Sequence, residues 1–309
     1  MINLDKLTNN YLDFCKYQKN LNQKTLKAYR IDLNQFTFFI NENKQDLSKT
    51  SISAYITHLH KNYKLKTIKR KIACLKAFFN YLEYEEVIEN NPLAKMKIRF
   101  QEPTILPKTI SLITIQTILS AAYQELHNEN NTIFYNKVVT RDIAVLELLF
   151  ASGVRVSELC SLTVENVDLC EGYIKIYGKG SKERIIQLGN EDVLQSLKRY
   201  KQAFSIEENG HSFFFLNRLH NRLSEQSVRF MINKYVKMSG VPIHITPHMY
   251  RHSFATLLLE EDVDIRYIQQ LLGHSSILTT QIYTHVTTNK QRSILVSKHP
   301  RNKLILNKG

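Results

Sequence analysis

Large apolar residues recur at intervals of three and four over the first ninety positions, and this spacing restricts the chain more than any other feature. The stretch "LDKLTNNYLDFCKYQ" sets Leu4, Leu7, Tyr11, Leu12 and Phe14 at helical intervals, and "QKTLKAYRIDLNQFTFFI" does the same with Leu26, Tyr29, Leu33, Phe36 and Ile40. Such residues share one helix face, whereas a half-buried strand needs strict alternation. Two further helices are expected at "SISAYITHLH" and "TIKRKIACLKAFFNYLEYE". Asn91-Pro92 closes the block, and the proline-marked "KMKIRFQEPTILPKT" has no period. The spacing thus predicts a helical domain over residues 1–94 and a basic linker over residues 95–107.

The pattern changes beyond the linker. "RDIAVLELLFASG" is an apolar helix stopped by Gly153, and "VRVSELCSLTVENV" starts a short one. "YIKIYGKGSKERIIQL" alternates on either side of Gly178-Lys179-Gly180, the signature of a hairpin with a glycine turn. Helical spacing resumes at "SEQSVRFMINKYVKMSG". The fold class expected is mainly α with a small antiparallel β-sheet, in two domains. A length of 309 residues is enough for each to bury its own core.

Charge narrows the function. Against 28 Asp+Glu stand 42 Lys+Arg, a formal net charge of +14, which favours a polyanionic partner such as nucleic acid or an acidic membrane surface. The N-terminus lacks a basic region followed by an apolar core, and no stretch reaches the length that spans a bilayer. Cys15, Cys74, Cys160 and Cys170 form no CxxC pair and no metal-binding spacing, so they read as small buried residues in a reducing compartment. A cytoplasmic protein without a membrane span, a metal or a cofactor is expected.

Polar groups gather at the ends of the expected elements. Thr246 is a plausible N-cap and Pro247 a good first residue for the helix in "TPHMYRHSFATLL", which puts His248 at its positive end with Arg251 and His252 in the same stripe. Phe254, Leu257 and Leu258 are expected to anchor that helix in the core. Arg155 follows Gly153, Lys179 stands at the hairpin tip, His274 follows Gly273, and Tyr283 lies in "TTQIYTHV". In the front block, Thr25, Lys27, Arg30, Thr67, Lys69, Arg70, Lys71 and Lys76 read as exposed hydroxyls and cations at or near the starts of two helices, where phosphate is well received.

The ordered motifs "ASGVRVSEL", "GKGSKER", "TPHMYRHSFAT", "LLGHSS" and "TTQIYTHV" resemble those of the tyrosine recombinase, or phage integrase, family, and are closest to its Xer branch. "HPR" at His299–Arg301 is similar to the end of Xer proteins. The resemblance covers the whole chain and implies a helical core-binding (SAM-like) domain, a catalytic domain over residues 108–288, and a tail over residues 289–309 that docks on a neighbouring protomer. It implies a C-shaped clamp on duplex DNA bearing a specific recombination site, with a homotetramer or heterotetramer at synapsis. Arg155 and Arg251 would hold the non-bridging oxygens of the scissile phosphate, and His274 would hydrogen-bond the same phosphate. His248 would assist proton transfer from the nucleophile, Lys179 would protonate the leaving 5′-oxygen, and Tyr283 would attack phosphorus to form a 3′-phosphotyrosyl link. Lys182 is the second choice for the acid.

Elementary chemistry agrees with this distribution. Displacement at an anionic phosphodiester builds charge on the equatorial oxygens, and fixed cations aimed there lower the barrier. A phenol with an ordinary pKa of about 10 is a weak nucleophile at neutrality and needs such surroundings. Rival readings fit less well. "HMYRH" has the His-x-x-x-His spacing of zinc proteases, but Met249 stands where the glutamate is required, and "GKG" lacks the rest of a P-loop. A type IB topoisomerase uses a similar residue set without exchanging strands, and a non-catalytic binder would be expected to have lost one of the six groups. The motifs leave open chromosome dimer resolution against mobile-element integration, one recombinase against two, and activation by a DNA translocase. Two departures from the Xer pattern are Asp262, where a glycine is usual, and the extension at residues 302–309.

Overall fold

A computed structural model describes residues 3–98, 100, 108–178, 183–206 and 212–273. The chain divides into two compact units, residues 1–104 and 105–309.

The first unit holds α1 (Leu4–Tyr17), α2 (Gln23–Glu42), α3 (Lys49–Asn62) and α4 (Leu65–Tyr84). Asn3, Asn22 and Ser48 cap the first three with side-chain oxygens that accept an N–H of the first turn. The apolar positions singled out by spacing form the core: Leu4, Tyr11, Leu12, Leu26, Leu33, Phe36 and Ile40 are buried, and Leu7, Phe14 and Tyr29 pack at its margin. Aromatic pairs fix the packing, with Tyr11 5.3 Å from Phe78 and Phe36 5.1 Å from Tyr55 between ring centroids.

Lys71 corrects the sequence reading. It is only 2% exposed, because it shares the face of α4 that carries Ile68, Ile72 and Leu75. Its Nζ donates to Asp32 Oδ1 at 2.9 Å and to Gln35, and lies 5.0 Å from the Tyr63 ring. A buried lysine requires such partners, and the pair ties α4 to α2. Arg70 adds a second ion pair to Asp32 while staying largely exposed.

The second unit contains α5 (Leu112–Leu126), α6 (Ile133–Ser152), α7 (Val156–Cys160), a 3-10 turn, β1 (Val167–Asp168), β2 (Tyr173–Tyr177), β3 (Glu183–Gln187), α8 (Glu191–Ala203), α9 (Glu225–Met238), α10 (Pro247–Glu260) and α11 (Ile265–Leu272). Helix α6 is central. Its buried run from Ile143 to Leu149 is nearly apolar all round, so it packs against α5, α8 and α10 on different sides. The strands form one antiparallel sheet in the order β1-β2-β3, and β2 pairs with β3 from Tyr173↔Gln187 to Tyr177↔Glu183. That is the expected hairpin, with β2 ending at Tyr177 and β3 beginning at Glu183. Among the described residues, no helix is long and apolar enough to cross a membrane.

Two details position the site. Gly153 ends α6 at φ +58°, and a Cβ built there would lie 2.5 Å from Phe254 Cδ1, so only glycine lets α10 approach so closely. Asp262 has φ +66°, which accounts for the usual glycine at this position: the turn between α10 and α11 is left-handed. Phe254 and Leu258 pack with Ala255, Ile268 and Leu272 in a small cluster shared by α10 and α11, rather than in the main core as expected. Cys170 is also corrected: Cys15, Cys74 and Cys160 are buried, but Cys170 is exposed.

Candidate active site

The site is organised by the Arg251 guanidinium, which is 4% exposed. Its Nη1 donates to the Gly153 carbonyl at 2.8 Å and its Nη2 to the Leu272 carbonyl at 2.6 Å. These carbonyls belong to the C-terminal ends of α6 and α11, where helices leave acceptors unpaired and the backbone dipoles favour a cation. One buried fork therefore joins three motif stretches that are far apart in sequence. Arg155 lies two residues past Gly153, and His274 two residues past Leu272 in the chain.

Arg155 is the N-cap of α7, with its side chain 36% exposed. Glu158 reaches back to it: Oε2 accepts the Arg155 backbone N–H at 2.8 Å and Oε1 accepts Nη1 at 2.8 Å. The same carboxylate receives Arg184 of β3 as a two-pronged partner, Nη1 to Oε1 at 3.1 Å and Nη2 to Oε2 at 2.8 Å. Burial pushes the Glu158 carboxyl upward, but these hydrogen bonds from Arg184 and Arg155 outweigh it and hold the group below the usual glutamate range. Glu158 is thus a paired anion at neutral pH.

His248 stands in the first turn of α10, exposed, one turn from Arg251 and His252. His252 is half-buried, and burial first, then the neighbouring His248 and Arg251, push its pKa below the ordinary histidine value. Thr246 occupies the N-cap position by backbone conformation but makes no side-chain cap bond, contrary to expectation. Among the described helices longer than five residues, only α4 and α10 lack a side-chain cap. At the start of α10 Pro247 has no N–H and the Met249 N–H donates to the Thr246 carbonyl at 2.9 Å, and at the start of α4 the Thr67 N–H donates to the Lys64 carbonyl at 2.8 Å.

The other expected site residues divide clearly. Lys179, Lys182, His274 and Tyr283 lie outside the described residues, as do residues 289–309. In the first unit Lys27, Arg30, Arg70 and Lys76 are exposed, and Thr25, Thr67 and Lys69 are half-buried. Thr25 and Thr67 stand in the first turns of α2 and α4, and Lys69 lies 5.5 Å from the Phe100 ring. Lys76, by contrast, is midway along α4 rather than near its start. The ion pair of Arg155 with Glu158, one turn on, is legible from the spacing and is present, but Arg184 and its pairing with Glu158 were missed from sequence. One signal was present: on β3, Arg184 shares its face with buried Ile186, and a charged residue on the inward side of a strand needs a buried partner.

The model of the phage integrase family matches residues 116–290, and that of the phage integrase N-terminal SAM-like domain matches residues 8–86. A tyrosine recombinase of Agathobacter rectalis is 51% identical over 302 residues, covering 97% of this chain and 98% of the relative. The tyrosine recombinase XerC of Thermodesulfovibrio yellowstonii is 36% identical over 313 residues, covering 98% and 99%. Among solved structures, the XerH site-specific recombinase bound to a palindromic difH substrate in a post-cleavage complex superposes with a TM-score of 0.74 at 22% identity, covering 94% of this chain and 84% of that one.

Proposed function

This chain belongs to the phage integrase family of tyrosine recombinases, site-specific enzymes of DNA strand exchange, and from that membership we propose an Xer-type recombinase with Tyr283 as nucleophile. The observation that carries the reading is the Arg251 fork, which holds the ends of α6 and α11 together and so gathers Arg155, Arg251 and the stretch leading to His274 around one point. Arg155 and Arg251 face the scissile phosphate with guanidinium groups that stay charged at any working pH, and His274 adds a hydrogen bond. The Tyr283 oxygen attacks phosphorus as its proton departs with help from His248. The 5′-oxygen leaves with a proton from Lys179, and the 3′-phosphotyrosyl bond stores the energy for rejoining. The reading requires no metal and no ATP.

Residues 1–94 and 108–288 act as the two DNA-binding bodies of this reading, with residues 95–107 as linker and residues 289–309 docking on a neighbouring protomer. The uncapped start of α4, with Thr67, Lys69 and Arg70, and the α2 residues Thr25, Lys27 and Arg30 support phosphate contacts by the first body, with Lys76 extending them along α4. Four protomers assemble on two paired sites in the cytoplasm. The relationship to XerC proteins favours chromosome dimer resolution, with a DNA translocase as a partner to be tested.

The test is covalent trapping. A bound sequence is selected from random duplexes, rebuilt as a nicked suicide substrate and incubated with excess EDTA. A denaturant-stable adduct mapping to Tyr283 and lost in Tyr283→Phe is expected. Loss of cleavage on chelation, or an adduct unchanged in Tyr283→Phe, refutes the mechanism.

A further inference from the structure

We infer that Arg184 is a positioning residue of this active site, which keeps Arg155 available to phosphate by sharing Glu158 with it and by fixing β3 to the end of α11. The inference rests on the reading of Arg155 as a phosphate clamp. Arg184 is 11% exposed and all three of its guanidinium nitrogens donate to protein acceptors, and the role assigned to it is positioning rather than phosphate contact.

Three elements meet at this side chain. Arg184 leaves β3, the strand that follows residues 179–182, and its Nε donates to the Leu271 carbonyl at 2.8 Å. Arg251 takes the next carbonyl, Leu272, so two arginines close the C-terminal end of α11. Gly273 packs closely against the Arg184 side chain: a Cβ there would lie 2.9 Å from Nη1, and φ is +62°. The two remaining nitrogens of Arg184 bind both oxygens of Glu158, on the turn that carries Arg155.

Charge explains why the second arginine on Glu158 matters. A carboxylate offers about four acceptor positions, and Glu158 fills them with two N–H groups from Arg155 and two from Arg184. Glu158 with both arginines carries a net positive charge that a phosphate can use. Without Arg184, Glu158 and Arg155 form a neutral pair, and a carboxylate in a buried setting draws the arginine toward itself.

Full-length protein is assayed for single-turnover adduct formation on the nicked duplex and, separately, for DNA affinity. Arg184→Met is expected to slow adduct formation by about 10²-fold, as misplacement of a reacting group does, with affinity held within about threefold. Adding Glu158→Gln to Arg184→Met restores the net charge and is expected to regain about tenfold. Rates are taken on protein shown to be fully folded at the assay temperature, so a recovery of stability alone leaves them unchanged. Arg184→Lys keeps the charge and the stem against Gly273 but cannot span two carboxylate oxygens and a carbonyl, and a loss of about tenfold is expected.

Adduct formation by Arg184→Met within threefold of wild type, or a double variant no faster than the single one, overturns the inference. If Arg184→Met does not fold, Arg184→Lys decides, and a wild-type rate overturns it equally. The parent reading is scored apart, by the wild-type adduct and its loss in Tyr283→Phe. Where those hold and the Arg184 variants behave normally, only the positioning role falls.

Discussion

Two arginines with the same proposed task should differ sharply in what they do for folding. Arg251→Met removes two hydrogen bonds from a charged donor to buried carbonyls, at 2.8 and 2.6 Å. Each is worth about 1.5–3 kcal/mol, and both acceptors are left at buried helix ends. Burial of the new methionine offsets about 1.5–2 kcal/mol of this, leaving a net loss of roughly 2–4 kcal/mol. Arg155→Met breaks a pair whose arginine is 36% exposed, and Glu158 keeps Arg184. The expected cost there is about 0–1 kcal/mol. Urea unfolding of both variants without DNA measures the difference, and the suicide substrate measures cleavage, expected to fall about 10²–10³-fold in each. In a unit of this size the Arg251 loss corresponds to a Tm drop of roughly 4–16 °C. Equal stabilities within 1 kcal/mol, or Arg251→Met as stable as wild type, would refute the view that the α6 and α11 ends depend on this guanidinium.

Asp262→Gly relieves a left-handed backbone in a non-glycine residue and should raise stability by about 1 kcal/mol in thermal melts, with cleavage unchanged. Lys71→Met leaves Asp32 buried with only the half-exposed Arg70 and should cost about 3 kcal/mol in urea, while Lys71→Met combined with Asp32→Leu should recover most of it. His252 has its folded-state pKa pushed below the ordinary 6.5, so as pH falls through that value the unfolded chain takes up the proton first and stability drops. His252→Gln should therefore flatten the stability-versus-pH curve between that ordinary value and the lower folded one, and an unchanged slope would show that the residue is not held neutral.

Local signals in the chain were readable, and long-range pairings were not. Gly153 as a helix stop, the alternation around Gly178, and Pro247 as the first residue of α10 each depend on neighbours within a few positions. Arg251 with Gly153, or Arg184 with Glu158, depends on how distant elements pack, and nothing within one turn of either arginine announces its acceptor. Lys71 was misread because its charge was weighed before its place on the helix wheel: three after Ile68 and four before Leu75, it faces inward. α8 escaped notice because Val193, Leu197 and Tyr200 are its main inward anchors in an otherwise polar segment.

The placement of helix ends supplies one physical logic for the described part of the site. Two C-terminal ends, those of α6 and α11, face inward and present carbonyls; a buried arginine can stay charged there because the unpaired acceptors and the backbone dipoles stabilise it. The start of α10 carries His248 at the positive end of the helix dipole, which adds positive potential on the side from which phosphate would come. C-terminal ends thus hold the cations in place, while an N-terminal end reinforces them toward the ligand. Because the dipoles are fixed by folding and need no reorganisation during reaction, the arrangement suits stabilisation of a transient, more highly charged phosphorane-like state over the ground-state diester. Shortening α11 at its C-terminal end would remove two acceptors at once, from Arg251 and from Arg184, and should therefore harm catalysis far more than its small buried area suggests.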